Sequence, residues 1–253
     1  MRTTRLIAGS AAVLAALGFG PSTAAAQDFL LGPPNITLGI HGGFNSARAG
    51  SQVFDFTEDN FTVGSGDFDS GAIRAELAIR LTERLDLSID VARMSTEVDS
   101  ESRDFIGTDD LPIVQTTGLT QTPVSANLKY FLLDRGQSVG SIAWIPAKFV
   151  PYVGLGAGVV RYSFEQFGEF VDLDTFDIVN ASFPSEGTGR LVQLLGGVEY
   201  SIARNTIVVL DGRYRLSSAE MRGAWVSSPD PSERFDDIDL SGFSFSLGLA
   251  VRF

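Results

Sequence analysis

The chain finishes on SGFSFSLGLAVRF, residues 241–253, and this stretch alternates with a period of two. Phe243, Phe245, Leu247, Leu249, Val251 and Phe253 share one face, while Ser244, Ser246, Gly248, Ala250 and Arg252 share the other. A helix would spread both sets around its circumference; an extended strand keeps them apart. The stretch therefore reads as a strand, and it raises a question. The chain carries a formal net charge of -12, yet it ends on an apolar face whose last residue is a phenylalanine.

Working backwards, the same period recurs. Val208, Leu210, Tyr214 and Leu216 oppose Asp211, Arg213 and Arg215, and Val192, Leu194, Val198 and Tyr200 oppose Gln193, Gly197 and Glu199. In FVPYVGLGAGVVRY (149–162) the apolar set Phe149, Pro151, Val153, Leu155, Ala157 and Val159 opposes Gly154, Gly156 and Gly158. Val124, Ala126, Leu128, Tyr130 and Leu132 oppose Ser125, Asn127, Lys129 and Phe131. A hairpin around Thr82–Arg84 joins Ile73, Ala75, Leu77 and Ile79 to Leu85, Leu87, Ile89 and Val91, with Arg74, Glu76, Arg80, Asp86 and Asp90 on the opposite face. The first segment is NITLGIHGGF (35–44), with His41, the sole histidine, on the non-apolar side.

Eight strands result, and short connections alternate with long ones. The long ones, Asn45–Phe68, Ser95–Thr117, Ser163–Thr188 and Ser218–Asp239, all fall at one end of an up-and-down meander and read as loops. Leu133–Lys148 is a medium connection at the other end and leaves the pairing of its two flanking strands open.

The acidic balance argues against nucleic acid, since phosphate binding needs clustered Lys and Arg. With no cysteine there is no disulfide, thiolate metal site or cysteine nucleophile. Arg2 and Arg5 followed by an apolar run to Gly20 and the small residues of STAAAQ read as a secretory signal peptide, residues 1–26, with the mature domain at 27–253. No apolar run reaches the roughly 20 residues of a spanning helix. No segment follows Phe253, so no peptidoglycan-binding domain is expected there.

Alternation does not say which face looks outward. A soluble lipocalin-like carrier would line a cavity with the apolar face, whereas a membrane barrel would turn it to lipid. Three features favour lipid. The polar face carries Arg74, Arg80, Lys129, Arg213, Arg215 and Arg252 against Glu76, Asp86, Asp90, Glu199 and Asp211, a near balance suited to a mutually paired interior. Aromatics on the apolar face gather at the strand ends: Tyr130, Phe149, Tyr200 and Phe253 at one, Phe44, Tyr214 and Phe243 at the other. Finally, 22 of the 31 acids lie in the four long connections, against only Arg48, Arg103, Arg222 and Arg234. The expected fold is an all-β, eight-stranded antiparallel up-and-down transmembrane barrel with four long extracellular loops, closed by pairing the last strand with the first so that no edge meets lipid.

VSANLKYF (124–131), PYVGLGAGV (151–159), GGVEYSIARN (196–205), LDGRYRL (210–216) and FSFSLGLAVRF (243–253) resemble the small outer-membrane β-barrel family that includes OmpA-type and OmpW-type barrels and the opacity and adhesion proteins. The resemblance spans 27–253. It implies an outer-membrane location, with lipid bilayer and lipopolysaccharide as surroundings. It also implies that Phe253 is the assembly signal read by the barrel-assembly machinery.

Candidate chemistry is sparse. GLGAG (154–158) lies along a strand rather than between strand and helix, so its glycines read as close packing against bulky interior neighbours. His41 is the only imidazole a hydrolase could use, and its inward position reads as an interior hydrogen bond. DSESRD, DLDTFD and FDDIDL lack the glycine-containing calcium-loop spacing and read as solvated surface, with divalent bridging to lipopolysaccharide the functional alternative. Neither a cofactor, a metal nor an enzymatic activity is expected. The leading expectation is a plugged barrel with adhesive or envelope-maintaining loops, with a narrow OmpW-like conduit for small hydrophobic molecules as its rival; the loop partner stays open.

Overall fold

The computed structural model describes residues 32–107, 110–140, 143–172, 175, 177–227 and 234–253. The expected signal peptide lies outside them. Eleven strands run in chain order: β1 (Ile36–Ala47), β2 (Ser70–Arg80), β3 (Leu85–Ile106), β4 (Pro112–Phe131), β5 (Gly136–Val139), β6 (Ala143–Pro146), β7 (Phe149–Val171), β8 (Ile178–Ser201), β9 (Thr206–Glu220), β10 (Asp237–Asp239) and β11 (Gly242–Arg252). The helix α1 (Gln52–Asn60) and a 3-10 turn, Ser65–Phe68, lie between β1 and β2, and a short helical turn, Ala224–Ser227, follows β9.

Antiparallel pairing runs β1-β2-β3-β4-β7-β8-β9-β11 and returns from β11 to β1, from Thr37 opposite Arg252 to Ala47 opposite Gly242. The chain is a closed eight-stranded transmembrane β-barrel. Closure is carried to the last residue, where the Phe253 amide donates to the Ile36 carbonyl at 2.8 Å and the Phe253 carbonyl accepts from Asn35 at 2.8 Å. The medium connection folds as the small β5–β6 hairpin, and β4 pairs directly with β7, Phe131 opposite Tyr152.

Orientation follows from burial. Leu77, Leu194 and Leu249 are exposed on the outer wall, Leu194 by 65%, while Arg213 retains only 4% of its surface. This is the reverse of a carrier whose apolar face lines a cavity. All seven girdle aromatics are on the outer wall as well, Phe253 by 68%.

Two of the four connections expected as loops are not loops. β3 and β4 continue through Ser95–Ile106 and Pro112–Thr117, and β7 and β8 continue through Ser163–Val171 and Ile178–Thr188. These four strands run 22, 20, 23 and 24 residues, roughly twice the 9–11 that cross a bilayer. β1, β2 and β11, at 12, 11 and 11 residues, match that span closely. The excess length makes a four-stranded crown above the membrane.

In the crown the alternation changes phase. On β7, Leu155 and Val159 face outward in the lipid zone, but beyond them Val160, Tyr162 and Phe164 face inward and Arg161, Ser163 and Glu165 face out. β4 does the same, with outward Leu128 and Val124 giving way to inward Leu119 and Ile113. Water replaces hydrocarbon at this level, so apolar side chains gain by turning in. Leu119, Val160, Tyr162 and Phe164 pack with Val53 and Phe54 of α1, with Phe61 and Phe68, and with Trp225, Phe235, Ile238 and Leu240 of the last long connection. Phe54 is central, edge-on to Phe68 at 4.8 Å and to Phe164 at 6.0 Å. The first and last long connections thus lid the barrel.

Candidate functional site

The inward polar side chains of the membrane zone converge on Arg213 of β9. Its Nη1 reaches Asp90 of β3 at 2.6 Å, its Nε reaches Asp211 at 2.6 Å, and its Nη2 reaches Glu76 of β2 at 3.1 Å. The need for this bridge is set by register: Glu76 stands directly opposite Asp90, and like charges in that position repel. An arginine from across the lumen neutralises both. Lys129 completes Glu76, and Arg74 Nη1 reaches Asp211 at 2.7 Å. Three cations therefore face three carboxylates.

Neutral donors fill the remaining acceptor positions. Tyr152 donates its hydroxyl to Asp211 at 2.6 Å. Asp90 accepts from the Asn127 amide at 2.6 Å and the Ser125 hydroxyl at 2.9 Å, and Gln193 donates to Ser125 at 2.9 Å. Arg74 Nη2 lies 2.9 Å from His41 Nδ1; a guanidinium has no acceptor, so that nitrogen accepts. His41 lies over Gly248 on β11, where any side chain would meet the imidazole ring. Gly156 likewise leaves room for Asn127, whose amide a Cβ there would strike. Close packing is what GLGAG supplies.

Two more pairs stand apart from this knot: Arg252 with Glu199, and Arg135 with Asp86 at 2.6 Å. Two of the expected network members, Arg80 and Arg215, form no ion pair among the described residues. Arg80 is only half-buried, and its Nε donates to the Thr82 carbonyl at 3.1 Å, because β2 ends there and the side chain turns into the hairpin. Arg215 donates to Gln121 at 3.0 Å, Asn45 at 3.3 Å and the Leu240 carbonyl at 3.3 Å. It sits where the charged zone meets the lid, so carbonyl oxygens rather than carboxylates receive its charge.

Sequence reasoning missed Arg135 and Tyr152. Arg135 lies in the connection after β4 and folds back over Phe131, 4.4 Å from the ring centroid. Nothing in its local sequence marks it as interior. Tyr152 was detectable in principle, being the inward-phase polar residue in FVPYVG, and Lys129 lies 4.9 Å from its ring centroid. With Phe131, Val150, Leu195, Ile207 and Val209 it forms an apolar cluster on the lumen side. Between cluster and lid, the cavity beside His41, Arg74 and Arg213 has a volume of about 30 Å³, room for about two waters.

Among the described residues no helix is long and apolar enough to cross a membrane, and no group of His, Asp and Glu could hold a metal ion. No family model matches the chain, and no curated protein matches it. Solved structures do. The chain is similar to outer-membrane β-barrels. Neisserial surface protein A aligns at 14% identity over 91% of this chain and 100% of that one, with a TM-score of 0.47. The outer membrane protein OprG from Pseudomonas aeruginosa aligns at 15% identity over 88% and 99%, TM-score 0.46. Ail, the attachment invasion locus protein of Yersinia pestis, aligns at 11% identity over 88% and 100%, TM-score 0.40. At these identities the likeness is one of fold.

Proposed function

We propose that the chain is a non-enzymatic outer-membrane barrel whose plugged lumen makes it a rigid base, and whose acidic extracellular crown carries a surface role in adhesion or envelope integrity. The observation that supports the plug is the Arg213 knot, three cations on three carboxylates beside a cavity of about 30 Å³. A conduit needs a continuous water path, and an eight-stranded barrel has an interior that side chains can fill. Against catalysis stands the state of His41, which is buried and accepts from Arg74. A general base must instead present its lone pair to a substrate proton.

In this reading the signal peptide at 1–26 is cleaved on export, Phe253 addresses the chain to the barrel-assembly machinery, and the outer wall lies among lipid and lipopolysaccharide. The polar outer face of the crown, with Glu97, Asp99, Glu101, Glu165 and Glu186, is what a surface partner meets. Single-channel recording in planar bilayers tests the plug. The expected record has no discrete openings. Openings whose amplitude changes in Arg213→Ala or Glu199→Ala would replace the plug with the narrow conduit.

A further inference from the structure

Two apolar side chains break the rule that governs the crown. Val114 and Phe167 point outward, 48% and 43% exposed, on strands whose Ile113, Leu119, Val160 and Phe164 have turned in. Nor do they face lipid, since Val114 lies ten residues beyond Val124, roughly 33 Å along β4. Register makes them neighbours: Val114 faces Glu169 and Phe167 faces Thr116, so the two apolar chains stand diagonally across β4 and β7. Ile106, opposite Pro112 and 66% exposed, continues the patch toward the tip. An apolar patch that neither core nor lipid covers marks a contact surface.

The surroundings of the patch specify what covers it. Gly118, Thr116 and Val114 follow one another on the outer face of β4, with Glu97, Asp99 and Glu101 opposite them on β3 and Glu165, Phe167 and Glu169 opposite them on β7. The β4 column is therefore the floor of a shallow trough, and the backbones of its two walls are about 10 Å apart. Thr116 donates to Asp99 at 2.6 Å, Ser182 donates to Glu165 at 2.6 Å, and the Val114 amide lies 3.4 Å from Glu169. No cation pairs with any of the five carboxylates among the described residues, the ion pair nearest the trough on this face being Arg161 with Glu186 at 3.5 Å. Resting on the surface role proposed above, we propose that the trough binds a cationic amphipathic helix of a partner protein, its apolar stripe on Val114 and Phe167 and its lysines or arginines on the carboxylates of both walls. A helix is about 10–12 Å across with its side chains, so its flanking cations reach both walls while its apolar stripe meets the floor. A second copy of this chain would bring the same carboxylates against these, and a lipid surface would bring phosphates; like charge disfavours both.

The test uses the full chain in phosphatidylcholine nanodiscs at physiological salt and a fluorescein-labelled Leu/Lys amphipathic helix of about five turns, with binding to empty nanodiscs subtracted. Saturable binding is expected, about tenfold weaker when serine replaces the leucines of the peptide and absent for a Leu/Glu peptide. Val114→Ser combined with Phe167→Ser should weaken the Leu/Lys peptide about tenfold. Glu101→Gln combined with Glu169→Gln should weaken it comparably and flatten its salt dependence. Glu186→Gln, on the same wall outside the trough, should change nothing, and a shift in gel mobility on boiling confirms that each variant is folded. Asn180→Cys, in a chain with no native cysteine, should react with a membrane-impermeant maleimide on intact cells; no reaction would remove the surface role and this proposal with it. With that reaction seen, the proposal alone is overturned by absence of saturable binding, by equal binding of the serine peptide, or by Val114→Ser with Phe167→Ser matching Glu186→Gln. Self-association of the discs or their capture by lipid vesicles, lost in the same double variant, would overturn it too.

Discussion

Replacing Arg213 with alanine should be among the most damaging single changes the barrel can suffer. The side chain is 5% exposed and touches three carboxylates. After its removal Arg74 still neutralises Asp211 and Lys129 still neutralises Glu76. Asp90 keeps only the amide of Asn127 and the hydroxyl of Ser125. Leaving one buried charge uncompensated costs about 3–5 kcal/mol, and 4 kcal/mol is about three decades in the folding equilibrium. The measurement is reversible urea unfolding in lipid vesicles, read by fluorescence and by gel mobility with and without boiling. A second variant isolates the cause: Arg213→Ala combined with Asp90→Asn removes the orphaned charge and should recover at least about half of the loss. If Arg213→Ala stays within about 1 kcal/mol of the parent, or Asp90→Asn restores nothing, the knot is not what holds these strands together.

Leu194→Arg, in the middle of the lipid-facing wall, should cost about 2–4 kcal/mol in the same vesicles. Asn180→Arg on the outer face of the crown, which meets water, should stay within about 0.5 kcal/mol; equal effects would mean that the two zones share one solvent. Phe54→Ala empties the centre of the lid and should destabilise it by about 3–5 kcal/mol, seen as faster amide exchange across α1 while β1 and β11 keep their protection. Unchanged α1 exchange would contradict the packing of Phe54 on Phe68 and Phe164. Gly156→Val places a side chain against Asn127 and its strand, overpacking that typically costs 1–3 kcal/mol or more. Refolding yield by gel mobility should drop below that of Gly196→Val, a position with no neighbour atom closer than 3.8 Å.

Much of the site was legible residue by residue. The inward phase of Arg74, Glu76, Asp90, Lys129, Asp211 and Arg213 follows from strict alternation with apolar neighbours, which makes both the face and its charge balance readable. Arg135 was not, because it reaches the lumen from a connection and no periodicity governs a connection. Nor could the exclusion of Arg80 and Arg215 be read, since Arg80 depends on where β2 ends and Arg215 on what the lid sets against the middle of β9. The crown was misjudged for a related reason. Strands read by an apolar outer face end, on that reading, where the face turns polar, as at Arg161, although their backbone pairing continues to Val171.

The sequence by itself determined the period, the number of crossings and the side that meets lipid, because each is a local property of alternating side chains and of where charge is tolerated. Tertiary structure alone decided which cation meets which carboxylate. That choice rests on register: with Glu76 set opposite Asp90, a single guanidinium from the far wall must serve both, and residues 137 and 123 positions apart become partners. It also decided where alternation changes phase, since the boundary is the height at which hydrocarbon gives way to water. That height depends on how the whole cylinder stands in the membrane.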